Sequence, residues 1–251
     1  MLGDPFQTNY VLVKPQEVKF TPKREKSRER AYYLGTAYGY RRGCLSDASK
    51  KGYLGVVKYL VGVGADVHDE ALRLASEGGH LDVVKYLVLV GADVHTGNDH
   101  ALRRASNNGH LEVVKYLIGE GADIHASDEI ALRRASMNGH LDVVKLLIME
   151  GANVHANHDD ALRQASAYGL LEIVKLLILS GADVHASNDH ALRRASENGH
   201  LDVVKFLISI GADVKASEAL RWANKAMRWA PDKDRQADVV EFLVGLSRDI
   251  G

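Results

Sequence analysis

One cysteine, four prolines and two tryptophans in 251 residues leave few ways to staple, break or anchor this chain. The lone Cys44 excludes a disulfide framework, so stability has to come from buried apolar surface; Cys44 itself is expected to be a small buried filler. Aromatic residues make up only 6% of the sequence, and the predicted core is therefore aliphatic. No charged start leads into an apolar leader, and no apolar run approaches the ~18 residues that would cross a bilayer. The expectation is an intracellular, cytoplasmic protein with no membrane contact. Excess charge is also missing, the formal net charge being −1. That balance conceals a segregation, because residues 1–43 hold nine Lys or Arg against four Asp or Glu, and the rest holds 23 against 29.

What the chain does have is a period. Gly-Ala-Asp or Gly-Ala-Asn recurs at Gly64, Gly91, Gly121, Gly151, Gly181 and Gly211, and four of the five intervals are 30 residues. A fixed period of this length means stacked units. In the unit from Asp183 to Gly211, Ala191, Leu192, Ala195 and Ser196 share one helical face, while Leu201, Val203, Val204, Leu207 and Ile208 form a second apolar stripe. The spacing predicts an all-α solenoid of about seven helix-turn-helix units. A single unit buries too little to offset its own ordering, so each has to fold against its neighbours. The predicted divisions are a basic N-terminal extension over 1–43, a capping repeat over 44–70, five regular repeats over 71–218 and a C-terminal capping repeat over 219–251. In the last unit the second helix is expected to resume at Asp238, after a connection lengthened by eight residues that contains Met227, Trp229 and Pro231. Trp222 and Trp229 either cover the end of the array or anchor a partner.

Ala191-Leu192, Ala195-Ser196, Gly199-His200-Leu201, Val203-Val204-Lys205, Leu207-Ile208 and Gly211-Ala212-Asp213-Val214 together resemble an ankyrin repeat, and the same skeleton runs over about residues 44–246. The resemblance implies paired antiparallel helices, an outward finger between units, and binding of other proteins as the activity. The 30-residue unit with Ala-Leu-Arg in its first helix is similar to arrays abundant in large DNA viruses of amoebae, which would make the partner a host protein. Departures are clear. The family's usual unit has 33 residues, its Thr-Pro pair is here His190-Ala191, and its His position is Arg193. Shortened fingers are implied, which puts the regular finger hairpin in doubt. In place of the family's threonine, Asp69, Asp99, Asp159 and Asp189 are predicted N-caps, with Glu129 a weaker substitute.

No nucleophile motif, phosphate-cradling loop, metal motif or carboxylate dyad stands out from the repeat, so no catalytic residue, cofactor or metal is predicted. Twelve histidines invite a metal reading. Yet the series His68, His95, His125, His155, His185 and the series His80, His110, His140, His200 place equivalent rings about 8–10 Å apart in a stack. Zinc needs all its ligands within about 2 Å of one ion. Hydrogen bonds to backbone in a turn or neighbouring unit are the expected role; closer pairs such as His95–His100 and His155–His158 are the places where an adventitious metal could bind. Protonating these rings is expected to weaken the array in mild acid. The basic run Lys23 to Arg30, followed by Tyr32, Tyr33, Tyr38 and Tyr40, suits either a solvated helix covering the end of the array or nucleic-acid contact through phosphates and base stacking.

The remaining candidates lie where the repeats differ. The outward series of the first helix reads Leu74, Arg104, Arg134, Gln164, Arg194, Trp222, and its neighbour reads Glu77, Asn107, Met137, Ala167, Glu197. By resemblance this face lines a concave groove. Arg104, Arg134 and Arg194, with Gln164, Met137, Tyr168 and Trp222, are the predicted partner-binding residues, the guanidinium row being suited to carboxylates. The predicted function is a monomeric, non-enzymatic scaffold for a protein partner; the alternative is nucleic-acid association through the basic extension.

Overall fold

The computed structural model describes residues 41–215, 218–229 and 232–249. The readings of the N-terminal basic run and its tyrosines fall outside them. Among the described residues there are helices and turns and no strand. The helices are α1 (Arg41–Lys50), α2 (Leu54–Gly62), α3 (Asp69–Glu77), α4 (Leu81–Leu89), α5 (Thr96–Asn107), α6 (Leu111–Gly119) and α7 (Ala126–Met137). They continue with α8 (Leu141–Met149), α9 (Ala156–Ala167), α10 (Leu171–Leu179), α11 (Ala186–Glu197), α12 (Leu201–Ser209), α13 (Ala219–Ala226) and α14 (Lys233–Asp249). Successive pairs make seven stacked units.

Odd-numbered helices form one layer and even-numbered helices the other. The odd layer is packed more closely from unit to unit, because its facing side chains are small. Ala75-Ser76, Ala105-Ser106, Ala135-Ser136, Ala165-Ser166 and Ala195-Ser196 are all fully buried. Tighter spacing on one layer bends the stack, so the odd helices lie on its concave side. Between the layers Leu72, Leu102, Leu132, Leu162 and Leu192 meet Leu87, Leu117, Leu147, Leu177 and Leu207 in a continuous aliphatic core. Cys44 is only half-buried, unlike the filler expected there, while the adjoining Leu45 is fully buried.

Each turn between paired helices is held by the unit after it. His80, His110, His140 and His200 donate Nε2–H to the carbonyls of Lys50, Glu77, Asn107 and Ala167, each at 2.9 Å. The carbonyl partner assigns the proton to Nε2. The imidazole lies over the turn glycine: at Gly109, where φ is +74°, a Cβ would sit 2.4 Å from the His140 ring. A side chain there would meet both left-handed strain and the ring. Leu170 interrupts this ladder with an apolar contact over Gly139. In the last unit Gln236 takes the missing rung. It is buried, and its Nε2 donates to Ser196 O at 2.8 Å and Ala223 O at 3.0 Å. The polar tie therefore survives without a histidine.

The fingers differ from expectation in detail. Residues 97–99, 127–129, 157–159 and 187–189 each form a left-handed turn with φ between 52° and 63°. Mostly Gly, Asn, Asp and Ser occupy these positions, the residues that tolerate this region best. The aspartates predicted as N-caps make no capping bond. Asp69 is exposed. The others are buried and point forward: Asp99, Asp159 and Asp189 accept the backbone N–H of Asp123, Asp183 and Asp213 at 2.9, 2.8 and 2.9 Å. Each also accepts from the Nδ1 of His95, His155 or His185. His95, His125, His155 and His185 thus meet carboxylates through their rings, where backbone partners were expected, while His68 Nδ1 does meet a backbone carbonyl, that of Asp66 at 2.9 Å. The left-handed turn rotates the acid away from its own helix and into the next junction. Glu129 meets His125 but makes no forward bond, and its Oε2 is buried without a partner.

The final outer helix begins at Lys233, five residues before the predicted Asp238. Part of the insertion is therefore extra helix, with Asp232 accepting the Arg235 N–H at 3.1 Å near its start.

Candidate partner-binding face

The concave layer carries the residues picked out by repeat variation, and the core alanines and leucines of the same helices fix their direction. With Ala101, Leu102, Ala105 and Ser106 buried, Arg104 has to project outward, and Arg104 and Arg134 are exposed. Gln164, Arg194, Met137 and Trp222 are half-buried, and Tyr168 is 56% exposed. Leu74, the first member of the proposed outward row, is instead buried at 9% exposure. An aliphatic side chain gains from that cover where a guanidinium would lose hydration. The exposed row therefore starts at Arg104.

The arginines are unequally engaged. Arg194 Nη1 donates to Glu197 at 3.1 Å, and Arg104 Nε donates to His100 at 3.1 Å with Glu77 at 3.7 Å. Among the described residues Arg134 has no carboxylate partner, and its Nη1 reaches the Met137 sulfur at 3.9 Å. Gln164 Nε2 donates to Asp160 at 3.2 Å. A second row, Arg73, Arg103, Arg133, Arg163 and Arg193, runs beside the first. Asp160, buried, accepts from Arg133 at 2.6 Å and from Arg163 at 3.0 Å, while Arg103 and Arg163 donate to the finger carbonyls of Gly97 and Asn157, both at 2.8 Å. None of these positions is among the residues predicted from the sequence to be functional, and only Arg193 enters there, at the family's His position. Their invariance as arginine in all five regular repeats was the available signal.

Two histidines stand among these cations. Burial, then the charges of Arg193, Arg163 and Arg194, push the His190 imidazole down to about 4, against a smaller pull from Glu197. Burial with Arg103, Arg104 and Arg73 lowers His100 in the same way. The rings are consequently neutral at pH 7, and the positive potential belongs to the guanidinium groups. From residue 100 to 107, 130 to 137, 160 to 167 and 190 to 197 there are seven arginines against Asp160 and Glu197. The finger segments 92–99, 122–129, 152–159 and 182–189 carry eight acids and no Lys or Arg. Helix face and finger edge are thus of opposite sign.

At the C-terminal end of the face lies an open cavity of about 520 Å³, lined in part by Tyr168, Trp222, Trp229, Lys225 and Arg235. The Trp222 ring has Lys225 Nζ at 4.4 Å and the Arg193 guanidinium at 5.4 Å from its centroid. Its Nε1 is buried without a hydrogen-bond partner. Trp229 is 85% exposed and so does not serve as the end cover. No group of three or more metal-ligating side chains occurs among the described residues, and the close pairs His95–His100 and His155–His158 gain no third ligand. No described helix is long and apolar enough to cross a membrane.

Comparison with known proteins bears on the fold. No curated protein matches the sequence. The crystal structure of the human ASB11 ankyrin repeat domain is similar, with a TM-score of 0.64 and 23% identity over 78% of this chain and 96% of that one. The model of the family described as ankyrin repeats (3 copies) matches residues 45–128, 132–218 and 162–250, most of the chain. With seven stacked helix pairs and that match over most of its length, this chain belongs to the ankyrin-repeat family.

Proposed function

We propose that the chain is a non-enzymatic scaffold that holds a protein partner against the concave layer of odd-numbered helices. The observation that carries this reading is the outward row of exposed Arg104 and Arg134 and half-buried Arg194 on α5, α7 and α11, with Gln164, Met137, Tyr168 and Trp222 on the same side. Repeated core positions keep the helices in register, while these outward positions vary in size and charge. Such a surface suits selection among partners more than support of the fold. Guanidinium groups spaced by one unit can each take a carboxylate in two parallel hydrogen bonds. Arg134, which has no acid beside it among the described residues, is the member most available for this.

The test is affinity capture with the intact chain and with the triple variant Arg104→Glu, Arg134→Glu, Arg194→Glu, after circular dichroism shows equal helicity. A protein retained by the intact chain and lost by the variant supports the reading. Equal capture by both removes the arginine row from partner binding.

A further inference from the structure

We propose that the cavity between Tyr168, Trp222 and Trp229 is an anchor site for one large apolar side chain of an extended partner segment whose neighbouring residues are acidic. The inference rests on the reading that the concave layer binds protein, and adds the chemistry of what it binds.

Three observations carry it. First, both tryptophans of the chain line this one cavity, and Trp229 and Tyr168 are far more exposed than large aromatic side chains of a folded domain usually are. Aromatic residues gathered around a concavity are the groups that most often dominate protein interfaces. A volume of about 520 Å³ admits a side chain of the Phe or Leu class with part of its backbone.

Second, the charges at the rim are compensated unequally. Of the two lining acids, Glu197 is paired with Arg194 at 3.1 Å, whereas the exposed Asp232 accepts the backbone N–H of Arg235 at 3.1 Å and keeps its charge. The two lining cations have no carboxylate among the described residues. Lys225 lies over the Trp222 ring, and Arg235 donates to His200 Nδ1 at 2.7 Å. Among the described residues, two cations without a carboxylate against one acid without a cation leave the rim with a positive excess, so a partner carboxylate beside the anchor is favoured over a partner lysine.

Third, the cavity opens at the end of the basic face, so a chain leaving it toward earlier units passes Arg194, Gln164, Arg134 and Arg104. From α13 to α5 is four unit steps, about 40 Å at ~10 Å per step, which about twelve extended residues span. The acidic finger edge disfavours an acidic segment drifting sideways and holds it over the helices.

The test is selection of a random dodecapeptide library, displayed on phage, against the immobilised full chain. Enriched sequences should contain one aromatic or large aliphatic residue with Asp or Glu beside it. The best such peptide, synthesised without tryptophan, should shift the intrinsic tryptophan emission of the protein on binding, because that signal comes only from this cavity. Its affinity should fall at least about tenfold in Trp229→Ala and Tyr168→Ala, and about as much when its acids are replaced by Gln. Both variants alter exposed side chains, and circular dichroism checks that the helices are retained. Selection of basic or uncharged peptides, of acidic peptides without an anchor, or of nothing above background overturns the proposal. So does undiminished binding to Trp229→Ala. Peptides lost with Arg104→Glu and Arg134→Glu but indifferent to Trp229→Ala would sink the anchor and leave the scaffold standing. Peptides indifferent to both would remove the concave layer altogether.

Discussion

The junction at Glu129 lacks the forward hydrogen bond made at Asp99, Asp159 and Asp189, and Glu129→Asp is expected to supply it. Asp99, Asp159 and Asp189 each accept the backbone N–H 24 residues ahead, at 2.8–2.9 Å. Glu129 is equally buried and has the same left-handed backbone, with φ 59°, but its extra methylene leaves Oε2 without a partner and Asn153 N–H without that acceptor. A hydrogen bond to a charged acceptor contributes about 1.5–3 kcal/mol. Part of this is already spent on solvent at a finger, and aspartate also adopts left-handed φ more readily than glutamate, so a net gain of about 1–2 kcal/mol is reasonable. For a domain of this size that raises Tm by about 2–8 °C. Arrays can unfold in parts, and a local readout is therefore better than Tm alone. In the parent chain the amide of Asn153 should exchange with deuterium faster than those of Asp123, Asp183 and Asp213, and Glu129→Asp should slow it to match them. Asp159→Glu should transfer the defect to Asp183. Equal protection of all four amides in the parent chain, or no change at Asn153 in the variant, would refute the reasoning.

Glycine substitutions should separate by backbone sign. Gly109→Ala places a Cβ 2.4 Å from the His140 ring at φ +74° and is expected to cost about 2 kcal/mol or more, while Gly119→Ala, with nothing within 4 Å, should stabilise by about 0.5 kcal/mol; urea midpoints read both. The acid side of the stability profile should be set by half-buried neutral histidines. The folded values of His190, His100 and His200 lie below the ordinary value, His190 at about 4, so their contribution is complete above the unfolded value near ~6.5 and is lost as pH falls toward the folded ones. His125 opposes this: its hydrogen bond to Glu129 raises it, so its contribution is present in acid and lost as pH rises through the folded value. The net expectation is a lower Tm at pH 5 than at pH 7.5, and a shallower loss in His190→Ile, which copies Ile130 at the equivalent position. An unchanged pH dependence in that variant would clear His190 of the role.

The repeat period, the pairing of helices and the aliphatic core could be read from the sequence because they rest on contacts three and four residues apart along one helix face. Those spacings also placed Arg104, Arg134 and Arg194 outside the core, since a residue flanked by buried Ala and Leu on its own helix has only one direction left. The stacking decided the rest. Asp99 has the composition of an N-cap, but the sign of φ turns it toward Asp123 in the following unit. His140 is held by a carbonyl 33 residues back, and Gln236 could take the same part because distance between units, and not residue type, selects the donor. Leu74 is buried where Arg104 is exposed, although the local pattern around both is the same. The cavity draws Tyr168 from one unit, His200 from the next and Trp222 and Trp229 from the last, and no periodicity within a unit encodes that meeting. A one-dimensional repeat specifies which face of each helix is apolar; the spacing and turn between units, set only when they stack, specifies which polar groups find each other.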